Sequence, residues 1–210
     1  VFVDAQEHHV GYQEGRAGNV PITWNGTWQF TGGSWTFAAG GEFAEEQSVR
    51  MISPLAGNGT FNARSSFTGA FGTGSSLNDA MAYEYSVANA LAATPADLVG
   101  RWSSASQTLT IAADGTVTGM LAHASIGSCI VSGTVVSAAP GTSRNAFDLT
   151  LTGTALQNSY CDMEGRSAQA FKAAITFANT SQNGVPFYRR ALTVFGVVIG
   201  GWTVGELIKD

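Results

Sequence analysis

Two stretches decide how this chain is read: "GTWQFTGGSWTFAAGGEF", Gly26 to Phe43, and "GRWSSASQTLTIAADGTV", Gly100 to Val117. They align without a gap at an offset of 74 positions, Gly26 falling on Gly100. Trp28 falls on Trp102, and Thr36-Phe37-Ala38-Ala39 on Thr110-Ile111-Ala112-Ala113. Gly41 falls on Gly115 and Phe43 on Val117. The pattern predicts one unit used twice: a strand with the Trp, a strand with the Thr-apolar-Ala-Ala step, then a glycine turn into a third strand. A two-residue turn at Gly32-Gly33 sets Phe30 opposite Trp35 and Trp28 opposite Phe37, all on one face. A rival turn at Asn25-Gly26 pairs Trp24 with Thr27 instead, and the two coexist only with short strands.

Outward from these stretches, turn signals are dense. Asn25-Gly26, Gly32-Gly33, Gly40-Gly41, Asn58-Gly59, Asp114-Gly115, Pro140-Gly141 and Asn183-Gly184 supply the positive φ angles of tight hairpins. Between them lie short alternating segments. In "AFDLTLTG", Phe147, Leu149 and Leu151 face one way, and Asp148, Thr150 and Thr152 the other. "QTLTIAA" repeats this with Leu109 and Ile111. Period two over many short segments predicts an all-β antiparallel meander, a barrel or sandwich.

The one helical candidate runs from Ser76 to Leu98, capped at Asn78 or Asp79 and followed by Pro95. Its Tyr83-Glu84-Tyr85 alternation fits a strand and linker equally well. The join between two halves is placed at "ALAATPAD", giving units 1–92 and 93–210. The final "RRALTVFGVVIGGWTVGEL" is apolar at both parities, Leu192 and Val194 against Phe195, Val197 and Ile199. That predicts a strand covered on both faces, between the halves or in a homo-oligomer contact.

Composition narrows the function classes. Only 12% of residues are charged and 44% are apolar, which excludes a disordered chain. The net charge is −5, with two lysines, Lys172 and Lys209, and no basic run denser than Arg189-Arg190. Nucleic-acid and anionic-membrane binding both need grouped cations and are not expected.

Cys129 and Cys161 are the only cysteines. An even count without a CxxC spacing or a nearby His argues against zinc and thioredoxin chemistry. A disulfide between neighbouring strands is the preferred reading, two buried free thiols the alternative. A disulfide implies an oxidising compartment, the periplasm or the outer cell surface.

Motifs for chemistry are few. His8 and His9 lie beside Glu7 and Asp4, but neighbours on a strand point to opposite faces, so no metal site is expected. His123 has no G-x-S-x-G elbow to serve. Glu42, Glu45 and Glu46 read as a solvated strand end, and "GTGSS" at Gly72–Ser76 lacks the lysine of a phosphate loop. Asn25-Gly26-Thr27, Asn58-Gly59-Thr60 and Asn179-Thr180-Ser181 are glycosylation sequons on paper and read more simply as turns. The candidate ligand-binding group is Trp24, Trp28, Phe30, Trp35 and Phe37, a platform for sugars or apolar ligands. The alternative is that these rings form a core. The repeat favours that, because Leu109 and Ile111 stand where Trp35 and Phe37 do.

"LVGRW" at Leu98–Trp102 resembles the G-x-W start of lipocalin-like barrels. There the Trp plugs one end of the barrel under a basic residue near the last strand, a role the resemblance offers to Arg189 or Arg190. From about Tyr85 to Val197 the chain also resembles a group of uncharacterised bacterial extracytoplasmic proteins, mostly classed as lipoproteins. The shared features are "LVGRW…TLTIAADGTVTG", "GSCIVSGTV", "NAFDLTLTG", a second Cys and "RSAQAFKAAITF". The resemblance implies β structure, export and a lipid anchor upstream of Val1, and it transfers no catalytic residue. The expectation is therefore two tandem lipocalin-like barrel or sandwich halves, exported and non-catalytic, with no cofactor or metal. The expected partner is a protein, or a small apolar or carbohydrate ligand, at the cell envelope. The alternatives are a carrier of a small apolar ligand in a barrel cavity and a hydrolase with its site between the halves.

Overall fold

A computed structural model describes residues 2–3, 8–13, 22–37, 42–45, 55–73, 76–85, 87–123, 126–157, 159–198 and 201–210. The fold is all-β and antiparallel, and it divides into two compact units, Val1–Val87 and Ala88–Asp210.

The first unit holds β1 (Phe2–Val3), β2 (His8–Gln13), β3 (Ile22–Thr31), β4 (Ser34–Phe37), β5 (Glu42–Glu45), β6 (Leu55–Asn62), β7 (Ser66–Thr73) and β8 (Ser76–Glu84). They form one open sheet, β1-β2-β3-β4-β6-β7-β8, with β5 on β3. The first half of β3 lies between β2 and β5, and its second half pairs with β4. Gly32-Gly33 closes the hairpin as predicted, with Phe30 opposite Trp35 and Trp28 opposite Phe37.

Two predicted turns are strand interiors instead. Asn25 and Gly26 lie inside β3, opposite Val10 and His9. Asn58 and Gly59 lie inside β6, opposite Ala70 and Gly69. Gly59 is a glycine for packing: a Cβ there would stand 2.5 Å from Trp35 Nε1 and collide with the carbonyl of Thr68. A Cβ on Gly69 would meet Trp35 Cζ2 at 2.5 Å, and one on Gly57 would meet Phe37 Cδ2 at 2.5 Å. The rings lie flat in a trough that three glycines leave open. The turn expected at Gly40-Gly41 lies outside the described residues.

The helical candidate also resolves differently. Ser76–Glu84 is strand β8, Val87–Ala90 is a single 3-10 turn, and only Pro95–Leu98 is helical (α1). Pro95 opens this helix rather than following one, where its missing N–H costs nothing.

The second unit is a closed eight-stranded barrel. Its strands are β9 (Gly100–Ser103), β10 (Thr108–Ile111), β11 (Thr116–His123), β12 (Gly127–Ser137), β13 (Phe147–Ala155), β14 (Gln169–Gln182), β15 (Val185–Val198) and β16 (Gly201–Lys209). Each pairs antiparallel with the next, and β16 returns to β9. Alternation puts Leu109, Ile111, Val131, Phe147, Leu149 and Leu151 inside, while Thr110, Ser132, Thr150 and Thr152 face water. β15 is buried on both faces at Ala191–Phe195, as its double-parity sequence predicts.

The expectation of two equivalent tandem halves does not hold. The first unit is an open sheet and the second a barrel. In the second hairpin Trp102 lies opposite Leu109 and Gly100 opposite Ile111. The register of the first hairpin, transposed, would put Trp102 opposite Ile111. The cause is loop length, residues 104–107 replacing the two glycines of the first turn. The paths then part: β5 pairs with the first half of β3, opposite β2, whereas β11 pairs with β10 and continues the meander.

Candidate interaction surfaces

The sequence-selected aromatic group lies on the first unit's sheet. Trp35 is 1% exposed and forms the centre of a buried cluster with Phe71 and Met81. Phe30, Phe37, Phe67 and Tyr83 pack against it half-buried. Trp35 stacks on Phe67 at 4.8 Å between ring centroids, and its Nε1 donates to the carbonyl of Thr68 at 3.0 Å. Burial pushes the Tyr83 phenol well above its ordinary value. Trp35 is thus a core residue, while Phe30 and Phe37 keep partial exposure. Trp24 and Trp28 are described in their backbone alone: Trp24 lies opposite Gly11 and Phe43, and Trp28 opposite Phe37. The opposite face is polar, with Thr60 and Thr68 hydroxyls 2.9 Å apart and Asn62 Nδ2 donating to Ser66 Oγ at 3.1 Å.

The barrel interior is occupied by side chains from every strand, and both ends are covered by chain. At one end sits α1 with the residues before it. Leu98 is fully buried and its carbonyl accepts from Trp102 Nε1 at 2.7 Å. The cation over the Trp102 ring is Lys209, its Nζ 5.0 Å from the ring centroid and 3.1 Å from the Asp97 carbonyl it donates to. The expectation of Arg189 or Arg190 in this role is corrected. Arg189 Nη2 donates to the carbonyl of Lys209 at 2.8 Å, and Arg190 stands 3.7 Å from Asp97. Only β16 brings a basic side chain alongside β9, where Lys209 registers with Trp102 itself.

At the other end the segment between β13 and β14 folds back over the barrel. Cys129 and Cys161 form the expected disulfide, S–S 2.06 Å with Cα atoms 5.0 Å apart. Cys161 pairs with Gly127, Ser128 N donates to Tyr160 O at 2.8 Å, and Asp162 N donates to Ile126 O at 2.9 Å. Met163 enters the core because Gly153 beneath it has no side chain: a Cβ there would stand 2.8 Å from Met163 Cβ. A small polar knot locks this cover. Buried Asp162 accepts from Tyr160 OH at 2.5 Å and from Arg166 Nη2 at 3.0 Å, both on Oδ1. That hydrogen bond raises the Tyr160 phenol above its usual value. Gln107, also buried, donates to the Ala122 carbonyl at 2.9 Å at the same end.

The feature missed in the sequence is the outer part of β14 and β15. These strands are fourteen residues each, longer than their neighbours β13 and β16 at nine. Their hairpin continues past the barrel wall and exposes Phe177 (46%), Val185 (64%), Phe187 (38%) and Tyr188 (72%). The signal was present: "ITFANTSQNGVPFYRRALTV" is strand-like on both sides of Asn183-Gly184 for longer than any other hairpin. The sequon Asn179-Thr180-Ser181 lies within β14 and is no turn.

His8 and His9 lie on β2 opposite Thr27 and Gly26, their side chains outside the description. His123 ends β11 opposite Gly127, half-buried. Among the described residues, no group of three His, Cys, Asp or Glu is placed to hold a metal ion. Compared with protein-family models, curated proteins and solved structures, the chain matches none.

Proposed function

We propose that the protein is an exported, non-catalytic binding or interaction module of the cell envelope. One observation carries this reading: a barrel filled by its own side chains bears a projecting ribbon with four large apolar side chains in water. Large apolar side chains exposed on a protruding element, here Phe177 and Tyr188 on one face and Val185 and Phe187 on the other, are a feature of surfaces that meet a partner. The Cys129–Cys161 disulfide supports the extracytoplasmic part, since such bonds persist outside the reducing cytosol. The resemblance of Tyr85–Val197 to extracytoplasmic bacterial proteins points the same way. The filled interior weighs against a carrier of a small apolar ligand, which needs a lined cavity. The hydrolase alternative has no supporting observation among the described residues.

The test is native mass spectrometry of the protein purified from its own envelope fraction, with thiols alkylated before lysis. A mass increment equal to a protein partner, with both cysteines protected from alkylation, is the expected result. A bound small molecule in place of a protein, or two alkylated thiols, overturns the reading.

A further inference from the structure

The three Asn-X-Ser/Thr sequons lie inside strands, so turn formation explains none of them: Asn25 is in β3, Asn58 in β6 and Asn179 in β14. At Asn58 local packing accounts for the residues. Gly59 makes room for Trp35, and the Thr60 hydroxyl is engaged with that of Thr68. The side chain of Asn25 lies outside the description. Asn179-Thr180-Ser181 has different surroundings, because its neighbours on the same face are aromatic and Asn179 and Ser181 are both exposed.

The register places these neighbours. Asn145 takes up the N–H and C=O of Ile175, so those groups point away from β15. Alternation gives Phe177, Asn179 and Ser181 the same orientation, and they form close, non-hydrogen-bonded pairs with Arg190, Tyr188 and Pro186. Cα atoms in such pairs stand about 4.5 Å apart, with their side chains on one face. Tyr188 is thus directly across from Asn179, and Phe177 is two residues back on the same strand and face. Both rings are exposed. β13 pairs with β14 only as far as Ala173, and β16 reaches β15 only from Ala191 onward. No described strand flanks the ribbon at Asn179, and a two-stranded end of this kind opens locally at little cost.

We propose that Asn179 is an N-glycosylation site whose first sugar stacks on the Tyr188 and Phe177 rings. The donor is a saccharide activated at C1 as a diphosphate. The Asn179 Nδ2–C1 bond forms as the C1–O bond breaks; the diphosphate leaves with the electron pair, and one Nδ2 proton passes to a base of the transferase. Ser181 supplies the hydroxyl at the sequon's third position. The faces of aromatic rings are negative and the C–H groups of a pyranose carry partial positive charge, so sugar and ring attract. This accounts for two large rings left in water with an amide between them. The proposal rests on the exported part of the function proposed above, since such sequons are used in secreted chains. Val185 and Phe187 stay on the opposite face of the ribbon, open to a protein partner.

Trypsin cuts after Lys172 and Arg189 and releases one peptide that carries Asn179, Ser181 and Tyr188. The experiment takes the full chain from its own envelope fraction, reads its mass after denaturation, and maps that peptide by electron-transfer fragmentation. The expected result is a covalent saccharide increment on Asn179, lost in Asn179→Gln and in Ser181→Ala. A whole oligosaccharide marks a lipid-linked donor and a single hexose a nucleotide sugar; either supports the site. Nitration of Tyr188 by tetranitromethane, read on the same peptide, tests the stacking. It runs several-fold slower in the wild type than in Asn179→Gln, and Ser181→Ala, which keeps Asn179, nitrates as fast as Asn179→Gln. A peptide recovered only at its unmodified mass, an increment on another residue, or one that persists in Ser181→Ala overturns the site. Equal nitration rates overturn the stacking. The increment is covalent and survives denaturation, so a protein partner found by native mass spectrometry stands or falls separately.

Discussion

Asn145 satisfies both backbone polar groups of Ile175: its Nδ2 donates to the Ile175 carbonyl at 2.7 Å, and the Ile175 N–H donates to its Oδ1 at 2.8 Å. The same Nδ2 also reaches the Ala88 carbonyl at 3.1 Å. One buried side chain thus acts as a missing strand where β13 stops. Asn145→Ala leaves the buried N–H and C=O of Ile175 unpaired, at a cost of about 2–4 kcal/mol. Urea unfolding measures the loss, and the Ile175 amide exchanges faster in the variant. Unchanged protection at Ile175 would show that the amide has another partner.

The disulfide spans 32 positions and pins the cover over one barrel end. Restricting the unfolded chain by a loop of that size stabilises the fold by about 3–4 kcal/mol in the chain-entropy picture. The double variant Cys129→Ala/Cys161→Ala loses stability of that order, and dithiothreitol lowers the wild type alone. A wild type whose unfolding midpoint ignores reductant contradicts this.

Gly59 and Gly69 hold the floor under Trp35. Gly59→Ala forces the indole off the sheet, with a cost of about 1–3 kcal/mol from overpacking. Tryptophan emission shifts to the red as Trp35 gains water, and the first unit unfolds earlier in denaturant. Thr60→Ala, one residue on and facing the polar side, serves as the control with little change.

Asp97 accepts from the Thr94 N–H at 2.9 Å and from the Thr94 hydroxyl at 3.0 Å. These bonds, the backbone one first, hold its carboxyl below the ordinary value of 3.8, with Arg190 and Lys209 adding in the same direction. A lowered folded value means stability that is present above pH 3.8 and lost as pH falls through the folded value. The wild type therefore outlasts Asp97→Asn in neutral urea titrations, and the two converge in acid. A gap that persists at the lowest pH would assign the effect to packing.

Much of the fold was legible because it depends on local rules. The Gly32-Gly33 turn, the in–out alternation of Phe147, Leu149 and Leu151, and the cysteine pairing all follow from period, turn chemistry and count. The misreadings share one cause, since they turn on long-range packing. Gly59 looked like half of a turn because nothing nearby in sequence announces that Trp35 will lie on it. Phe171 and Gly196 use the same device in the barrel, the ring lying where a Cβ would stand. The hairpin likeness between Trp28 and Trp102 was real, but a four-residue loop moved the second register by two, and composition cannot show which sheet will close. Of the candidate site, Trp35 was legible as aromatic but not as buried. The Phe177–Tyr188 ribbon was overlooked because its exposure follows from strand length relative to distant neighbours.

The barrel seam makes a last consequence plain. β14 and β15 are laced over twelve registered pairs, whereas β16 and β9 share two, Ile208 with Ser103 and Lys209 with Trp102. Asp210 fastens this lap: its N–H donates to the Arg101 carbonyl at 3.1 Å, its carboxylate meets Arg101 Nε at 3.1 Å, and Ser103 donates to it. A cylinder with one short lap and one clasp tears along that line under heat or load, uncurling into a flat ribbon of strands before any other joint gives.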